Sequence, residues 1–188
     1  MTEPHGFDQR RKALEASFFA RRNQDLLDQM RADLAAKEAK ESLKAQLGTD
    51  DDALVAAMVR EGIGPDTVTA LSLIPLVAVA WADDRLDNKE REAVLKAAES
   101  QGIQSGSPSY QLLITWLDEK PHDELLSTWS DYVSALKSKL DAAEHRRLGE
   151  QLLGKARKVA QAAGGFLGIH AVSDAEEQVL DRLKQPFK

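Results

Sequence analysis

The chain contains no cysteine, and this absence sets the first limits on its chemistry. Among 188 residues there is no Cys, so disulfides, thiolate metal sites and cysteine nucleophiles are excluded. Aromatic residues make up only 5% of the chain, and Pro and Gly number 6 and 11. Few helix breakers together with 43% hydrophobic residues are typical of a folded, helix-rich protein. Because a chain without cysteine suits a reducing compartment, we expect a cytoplasmic protein.

The sequence also lacks a long apolar run and an excess of positive charge. No basic segment followed by an apolar one occurs near the N-terminus, so we expect no signal peptide. The most apolar run, residues 73–82, is shorter than the roughly 20 residues that a membrane span needs. The formal net charge of -6 disfavours nucleic acid as the main partner, since phosphate binding requires a basic surface. We therefore predict neither membrane insertion nor nucleic-acid binding.

A long helix is predicted from about Asp8 to Leu47, where apolar residues recur at helical spacing between dense charges. Such a helix either packs along its own domain or binds a protein partner, including a second copy of the chain. We divide the chain into an N-terminal helical arm, residues 1–47, and an all-helical domain, residues 48–188. The side chains predicted to bind the partner are Leu14, Phe18, Phe19, Leu26 and Met30.

Residues 73–82 form the most apolar segment of the chain. A helix that is apolar on every side must lie inside a protein core, so we predict a central buried helix that ends near Trp81. Pro75 removes one backbone hydrogen bond and is expected to kink this helix. The acidic loop that begins at Asp83 follows directly, and we expect it to be held against the most rigid part of the fold.

Helix start signals recur along the rest of the chain, and no segment alternates as a strand would. Thr49 or Asp50 is expected to cap the helix after residue 48. The spacing of Asp87 and Glu90 is that of a capping box. Residues 141–144 have the same spacing, and residues 173–176 open the last predicted helix. The predicted fold class is therefore all-α.

Two segments of the chain share one plan. Residues 77–80 form a small-residue helix that leads through a loop to Asp87 and Glu90, and residues 159–162 lead through a longer loop to Ser173 and Glu176. In each segment a helix ends, a loop crosses and a capped helix begins. This pattern suggests two related helical hairpins around a common core.

These residues carry a resemblance to a known family. Residues 76–92, LVAVAWADDRLDNKERE, look like the signature of the tellurite-resistance TerB-like domain, in which an Ala-rich helix meets Ala-Asp-Gly, a short loop and a capped helix. Residues 173–177 resemble the repeat of that signature. The resemblance covers about residues 65–188 and implies a TerB-like helical bundle linked to stress response, with an acidic metal-binding or scaffold surface. Asp84 stands where the family has Gly, and Gly164 and Gly165 stand where the second acidic step would be.

The candidate metal site is the acidic loop. Hard cations such as Ca²⁺ and Mg²⁺ take several oxygen ligands, and four carboxylates lie within eight residues: Asp83, Asp84, Asp87 and Glu90. The spacing is not that of an EF-hand, because Arg85 and Val94 occupy positions that need oxygen ligands. Capping alone also explains Asp87 and Glu90. The sequence therefore leaves two possibilities: the loop binds one such cation, or the protein has no cofactor.

Catalytic motifs are absent from the sequence. It contains no nucleophile elbow, phosphate loop or dinucleotide fingerprint, and no two of its four histidines pair at helical spacing. We predict a non-enzymatic interaction or adaptor module. The alternative is a metal-dependent enzyme that uses the same carboxylates, with His170 joining the acidic loop if the two hairpins face each other.

Overall fold

The computed structural model describes the backbone of residues 5–163 and 172–188, and the side chains of residues 18, 21–162 and 172–188. In this part of the chain all regular structure is helical, which confirms the all-α prediction. The α-helices are α1 (His5–Leu47), α2 (Asp52–Arg60), α3 (Ile74–Ala80), α4 (Asn88–Ser100), α5 (Pro108–Asp118), α6 (Asp123–Ala135), α7 (Ala142–Ala163) and α8 (Asp174–Lys184). Short 3₁₀ helices cover Val68–Leu73, Leu136–Ser138 and Gln185–Phe187.

The chain divides into two compact units, Met1–Ser42 and Leu43–Lys188. The first unit contains most of α1, which is the long helix that the sequence predicts. The second unit, the bundle, contains the end of α1 and all later helices. The boundary between the units falls inside α1.

The bundle is built around α3, the apolar helix expected from the sequence. All residues of α3 except Ala78 are buried, and the helix packs against α4, α6, α7 and α8. The Trp81 side chain follows α3 and is partly buried against the same core. The prediction of a central buried helix is therefore confirmed.

Pro75 does not kink this helix, contrary to our expectation. A 3₁₀ helix, Val68–Leu73, precedes α3, and Pro75 lies in the first turn of α3. A proline in the first turn leaves no intrahelical hydrogen bond unmade, because the first backbone N–H groups of a helix have no intrahelical acceptor. Pro75 therefore helps to start α3.

The cap of α2 also differs from our expectation. Asp51, and not Thr49 or Asp50, occupies the N-cap position, where its side chain accepts hydrogen bonds from the backbone N–H groups of Ala53 and Leu54. The hydroxyl of Thr49 instead accepts a hydrogen bond from the backbone N–H of Asp51. Three consecutive aspartates made this choice ambiguous in the sequence, because each of them is a good capping residue.

No helix in the described part of the chain has both the length and the apolar character that a membrane crossing requires.

Candidate functional site

The acidic loop leaves α3 beside the C-terminal end of α5. The Trp81 indole N–H donates a hydrogen bond of 2.9 Å to the carbonyl oxygen of Trp116 in α5. Farther along, the Arg91 guanidinium in α4 donates to the Leu117 carbonyl oxygen at 2.9 Å and to the Asp118 carboxylate at 2.7 Å. Both helices that flank the loop are therefore joined to the same end of α5, and this fixes where the loop lies.

Asp83 and Asp84 form the exposed turn of the loop. The Asp83 carboxylate accepts a hydrogen bond of 3.1 Å from the backbone N–H of Arg85. Asp84 has a φ of 64°, in the left-handed region that Gly favours and that Asp tolerates better than most residues. Its carboxylate forms an ion pair with Lys120. These two carboxylates therefore have local partners that hold the turn.

Asp87 and Glu90 form the capping box that their spacing predicts. The backbone N–H of Glu90 donates to the Asp87 carboxylate at 2.8 Å, and the backbone N–H of Asp87 donates to Glu90 Oε2 at 2.9 Å. The Glu90 side chain is buried, with 7% of its surface exposed. The pair satisfies two backbone donors at the start of α4, and in doing so it places a carboxyl group in the bundle interior.

The start of α8 repeats this arrangement. The backbone N–H of Glu176 donates to the Ser173 hydroxyl at 3.2 Å, and the backbone N–H of Ser173 donates to Glu176 Oε2 at 2.6 Å. Glu176 is 6% exposed, and its other oxygen, Oε1, is buried with no hydrogen-bond partner in the described part of the chain. The second box therefore buries a carboxylate that is only half satisfied.

The second box acts on the first electrostatically. The pKa of the Glu90 carboxyl is raised from 4.5 to about 7, above all because burial removes it from water. The hydrogen bond from the backbone N–H of Asp87 opposes this rise, while the negative charges of Asp87, Asp83 and Glu176 add to it. Near neutral pH a substantial fraction of Glu90 therefore carries a proton.

The four predicted metal ligands serve separate structural purposes. Asp87 and Glu90 belong to the capping box, Asp84 is directed to Lys120, and Asp83 bonds within the turn. In the described residues, no group of three or more Asp, Glu or His side chains is placed to hold a metal ion. The structure thus explains the four carboxylates without a metal, and the cation site stays a prediction.

A small cavity opens beside the acidic loop. Its volume is about 130 Å³, and its lining includes Val77, Trp81, Lys120 and Arg182. None of the four candidate metal ligands lines this cavity. The carboxylates therefore do not converge on this enclosed space, as an active site built from them would require.

Of the histidines whose side chains are described, His122 lines the cavity beside the loop and His145 does not. His145 is buried in α7, where its Nε2 lies 3.2 Å from the Val133 carbonyl oxygen. His122 is the N-cap residue of α6 and makes no side-chain capping bond. His170, which we expected to join the loop, lies outside the described residues, as do Gly164 and Gly165.

The predicted partner-binding face of α1 is exposed where its side chains are described. Phe18, Leu26 and Met30 are 59%, 56% and 60% exposed, and two neighbours that we did not select, Leu27 and Leu34, are 48% and 57% exposed. The side chains of Leu14 and Phe19 lie outside the described residues. Leu26, Leu27, Met30 and Leu34 are within one strip of the helix surface, because residues three and four apart share a face. We call these four residues the apolar strip.

Two features escaped the sequence analysis. Glu176 was predicted only as part of a helix start, although its charge adds to the rise in the pKa of Glu90. Lys120, the ion-pair partner of Asp84, was not singled out. The matched spacing of residues 87–90 and 173–176 was the signal that could have linked Glu176 to Glu90. No nearby sequence pattern linked Lys120 to the loop.

These contacts define an all-helical protein with two capped helix starts whose buried carboxyl groups interact. No protein-family model, no curated protein and no solved structure matches the chain. The resemblance to the TerB-like family thus stays an inference from the residues themselves.

Proposed function

We propose that this protein is a non-enzymatic interaction or adaptor module of the TerB-like type, which acts in the cytoplasm and binds a protein partner through α1. The observation that carries the proposal is the apolar strip of α1. Large apolar side chains that are contiguous and exposed are typical of surfaces that bind another protein. A helix that presents apolar residues three and four apart fits a groove on a partner.

Polar groups beside the strip support this assignment. The Asp28 carboxylate accepts hydrogen bonds from Arg31 at 3.0 Å and from Gln24 at 3.0 Å. Interfaces commonly consist of an apolar centre with a polar rim. The partner we propose is therefore a protein with an apolar groove, and α1 supplies the inserted helix.

The left-handed turn at Asp84 supports the family part of the proposal. The TerB-like signature has Gly at this position, and a φ of 64° is the conformation for which Gly is normally selected. Asp84 therefore keeps the backbone shape that the signature requires while it adds a carboxylate. The link to tellurite resistance and stress response rests on this resemblance alone.

Affinity capture with paired variants tests the adaptor function. The test variant is Leu26→Ser/Met30→Ser, and the control is Val59→Ser, which changes an apolar residue of α2 that is 41% exposed. We expect the test variant to lose the partners that the wild type and the control both retain. Equal capture by all three proteins would refute a role for the strip.

Sedimentation of the purified protein tests whether the partner is another copy of the chain. If it is, the mass of the wild type will rise with protein concentration. The Leu26→Ser/Met30→Ser variant will then remain a monomer, and Val59→Ser will behave like the wild type.

The alternative, a metal-dependent enzyme that uses the loop carboxylates, has one observation in its favour. A carboxyl group whose pKa is raised to about 7 is suited to proton transfer near neutral pH. Glu90 is, however, buried in a capping box and does not line the cavity beside the loop. The adaptor assignment therefore has the stronger support.

A further inference from the structure

A second, larger cavity lies at the opposite end of α6 from His122. Its volume is about 450 Å³, and it is bounded by the 3₁₀ helix Leu136–Ser138, the first turns of α7 and the C-terminal 3₁₀ helix. This volume falls in the range of pockets that hold small organic ligands, roughly 300–1,000 Å³. The cavity shares no lining residue with the one beside the acidic loop.

Positive charge dominates the lining of this cavity. Lys137, Arg146 and Lys188 contribute cationic groups, and no Asp or Glu lines it. In a chain with a formal net charge of -6, three such groups around one cavity are unexpected. None of the three forms an ion pair with any residue that the structure describes. The pKa of the Asp181 carboxyl is lowered above all by its hydrogen bond with Lys184 and also by the charge of Lys188, so Lys137 and Arg146 are the cationic groups most available to an anion.

The nearest acidic residues in the sequence are already engaged. The Asp141 carboxylate accepts hydrogen bonds of 2.8 Å from the backbone N–H groups of Ala143 and Glu144. The Glu144 carboxylate in turn accepts a hydrogen bond of 3.0 Å from the backbone N–H of Asp141. This capping box holds both carboxylates at the start of α7 and keeps them out of the cavity lining.

His145 adds a buried polar group to the cavity wall. The residue is 6% exposed, and its Nε2 lies 3.2 Å from the Val133 carbonyl oxygen, which can only accept. Nε2 therefore carries the proton, and Nδ1 is left as the second hydrogen-bonding atom of the ring. The His145 ring therefore forms part of the cavity wall, where it can report on a bound ligand.

Phe187 gives the cavity a rigid apolar wall. Its ring lies against Gly149, where an added Cβ would come within 2.8 Å of two ring atoms. The ring is also tilted by 44° against His145, with the centroids 5.2 Å apart. Leu140 lines the cavity as well. The cavity thus combines cationic groups with a fixed aromatic surface.

We propose that this cavity binds a small phosphate monoester. Lys137 and Arg146 hold the phosphate by charge-assisted hydrogen bonds, and the His145 ring lies in the wall beside it. The organic part of the ligand packs on Phe187. A phosphate monoester fits better than a bare carboxylate, because its terminal oxygens can accept hydrogen bonds from Lys137, Arg146 and Lys188 together.

Titration of the full chain with two probes tests this site. The probes are inorganic phosphate and adenosine 5′-monophosphate, added at constant ionic strength while the imidazole and amide resonances are followed by NMR. We expect saturable shifts of the His145 ring signals with both probes and tighter binding of the nucleotide. We also expect Phe187 ring signals to shift with the nucleotide only.

Neighbouring arginines provide a matched pair of variants. Arg146 and Arg147 are both exposed, and of the two only Arg146 lines the cavity. Arg146→Gln should weaken nucleotide binding by about tenfold, as the loss of a charge-assisted hydrogen bond would. Arg147→Gln removes the same charge and should leave the affinity within about twofold, as expected for an exposed charge outside the site.

Three results would overturn the proposal. Equal weakening by both variants would indicate attraction by overall charge instead of a site. Shifts that never saturate, or that spare His145, would show that the cavity does not hold the phosphate. Nucleotide binding no tighter than that of inorganic phosphate would reject a monoester as the ligand. The circular dichroism spectrum of each variant verifies that it is folded.

Discussion

The two helical hairpins of the bundle, α3 with α4 and α7 with α8, start their second helices alike but place their first helices differently. The helix α3 is short and almost wholly buried, whereas α7 has one buried and one exposed face. Both second helices begin with a capping box whose glutamate is buried. The difference shows that one local hydrogen-bond pattern can serve two packing environments.

The two boxes have similar geometry but differ in the charge of the N-cap residue. In the first box the N-cap residue is Asp87, whose negative charge adds to the rise in the pKa of Glu90. In the second box the N-cap residue is Ser173, which has no charge, but Glu176 retains a buried oxygen without a partner. Each box thus meets its capping requirement at an electrostatic cost, and the costs have different origins.

The largest expected effect tests the electrostatic cost at Glu90. Because the folded pKa of about 7 exceeds the ordinary value of 4.5, the folded state binds the proton more tightly. The contribution of protonated Glu90 to the free energy of unfolding is therefore complete below pH 4.5 and is lost as the pH rises through 7. Glu90→Gln keeps a capping acceptor without the charge. We expect it to be more stable than the wild type at pH 8, by on the order of 3 kcal/mol.

Urea unfolding at pH 5 and pH 8 measures this difference. At pH 5 the wild type and Glu90→Gln should have nearly equal free energies of unfolding, because Glu90 then holds its proton. Glu92→Gln, an exposed change on the same helix, is the control for altered net charge. If the difference between wild type and Glu90→Gln were the same at both pH values, the raised pKa would be rejected.

The next effect concerns two glycines of α7, the first helix of the second hairpin. A Cβ at Gly149 would come within 2.8 Å of the Phe187 ring, whereas one at Gly154 would meet nothing within 4 Å. We expect Gly149→Ala to destabilise the bundle by about 2 kcal/mol through overpacking. Gly154→Ala should instead stabilise it by up to about 1 kcal/mol through helix propensity. Thermal unfolding of both variants gives the comparison, and equal behaviour would contradict the close packing of Phe187.

A smaller effect distinguishes the two N-cap residues. Ser173→Ala removes one capping bond and should cost about 1 kcal/mol at any pH. Asp87→Ala removes a similar bond but also a negative charge next to Glu90, so its cost at pH 8 should be lower. At pH 5 the two costs should converge, because protonated Glu90 is no longer repelled. Chemical denaturation at both pH values tests this, and a constant gap would show that Asp87 does not act on Glu90.

The smallest expected effect concerns divalent cations at the first hairpin. Each loop carboxylate already has a protein partner, and the described residues contain no three-ligand group. We therefore expect millimolar Ca²⁺ or Mg²⁺ to leave the melting temperature unchanged. A rise in the wild type that is missing from Asp83→Asn/Asp87→Asn would instead establish the cation site predicted from the sequence.

The sequence predicted those features of the fold that are decided locally. The capping boxes at Asp87 and Asp141 and the buried segment after Leu73 follow from spacing and apolar pattern, which act within a few residues. Pro75 was misread because a proline in the first turn and one inside a helix look alike when the helix start is unknown.

The candidate site was less predictable because it depends on contacts between distant segments. The effect of Glu176 on Glu90 joins residues that are far apart in the chain. The cavity around His145 likewise gathers Lys137, Arg146 and Phe187 from three helices. Only Arg146 and its neighbour Arg147 gave a local sign, as a pair of basic residues. Tertiary packing decides which charges meet, and a single sequence does not contain that information in readable form.

The burial of Leu43 and Leu47, which are 0% and 5% exposed, determines how the chain can be shortened. A truncated protein that starts at residue 48 would lose two leucines from the interior of the bundle. Their loss would leave a cavity the size of several methyl groups. One that starts shortly before Leu43 would keep the interior whole while it sheds Leu26, Met30 and Leu34. The last turns of α1 therefore belong to the hydrophobic core, and an insertion or deletion in the first helix is tolerable only upstream of them.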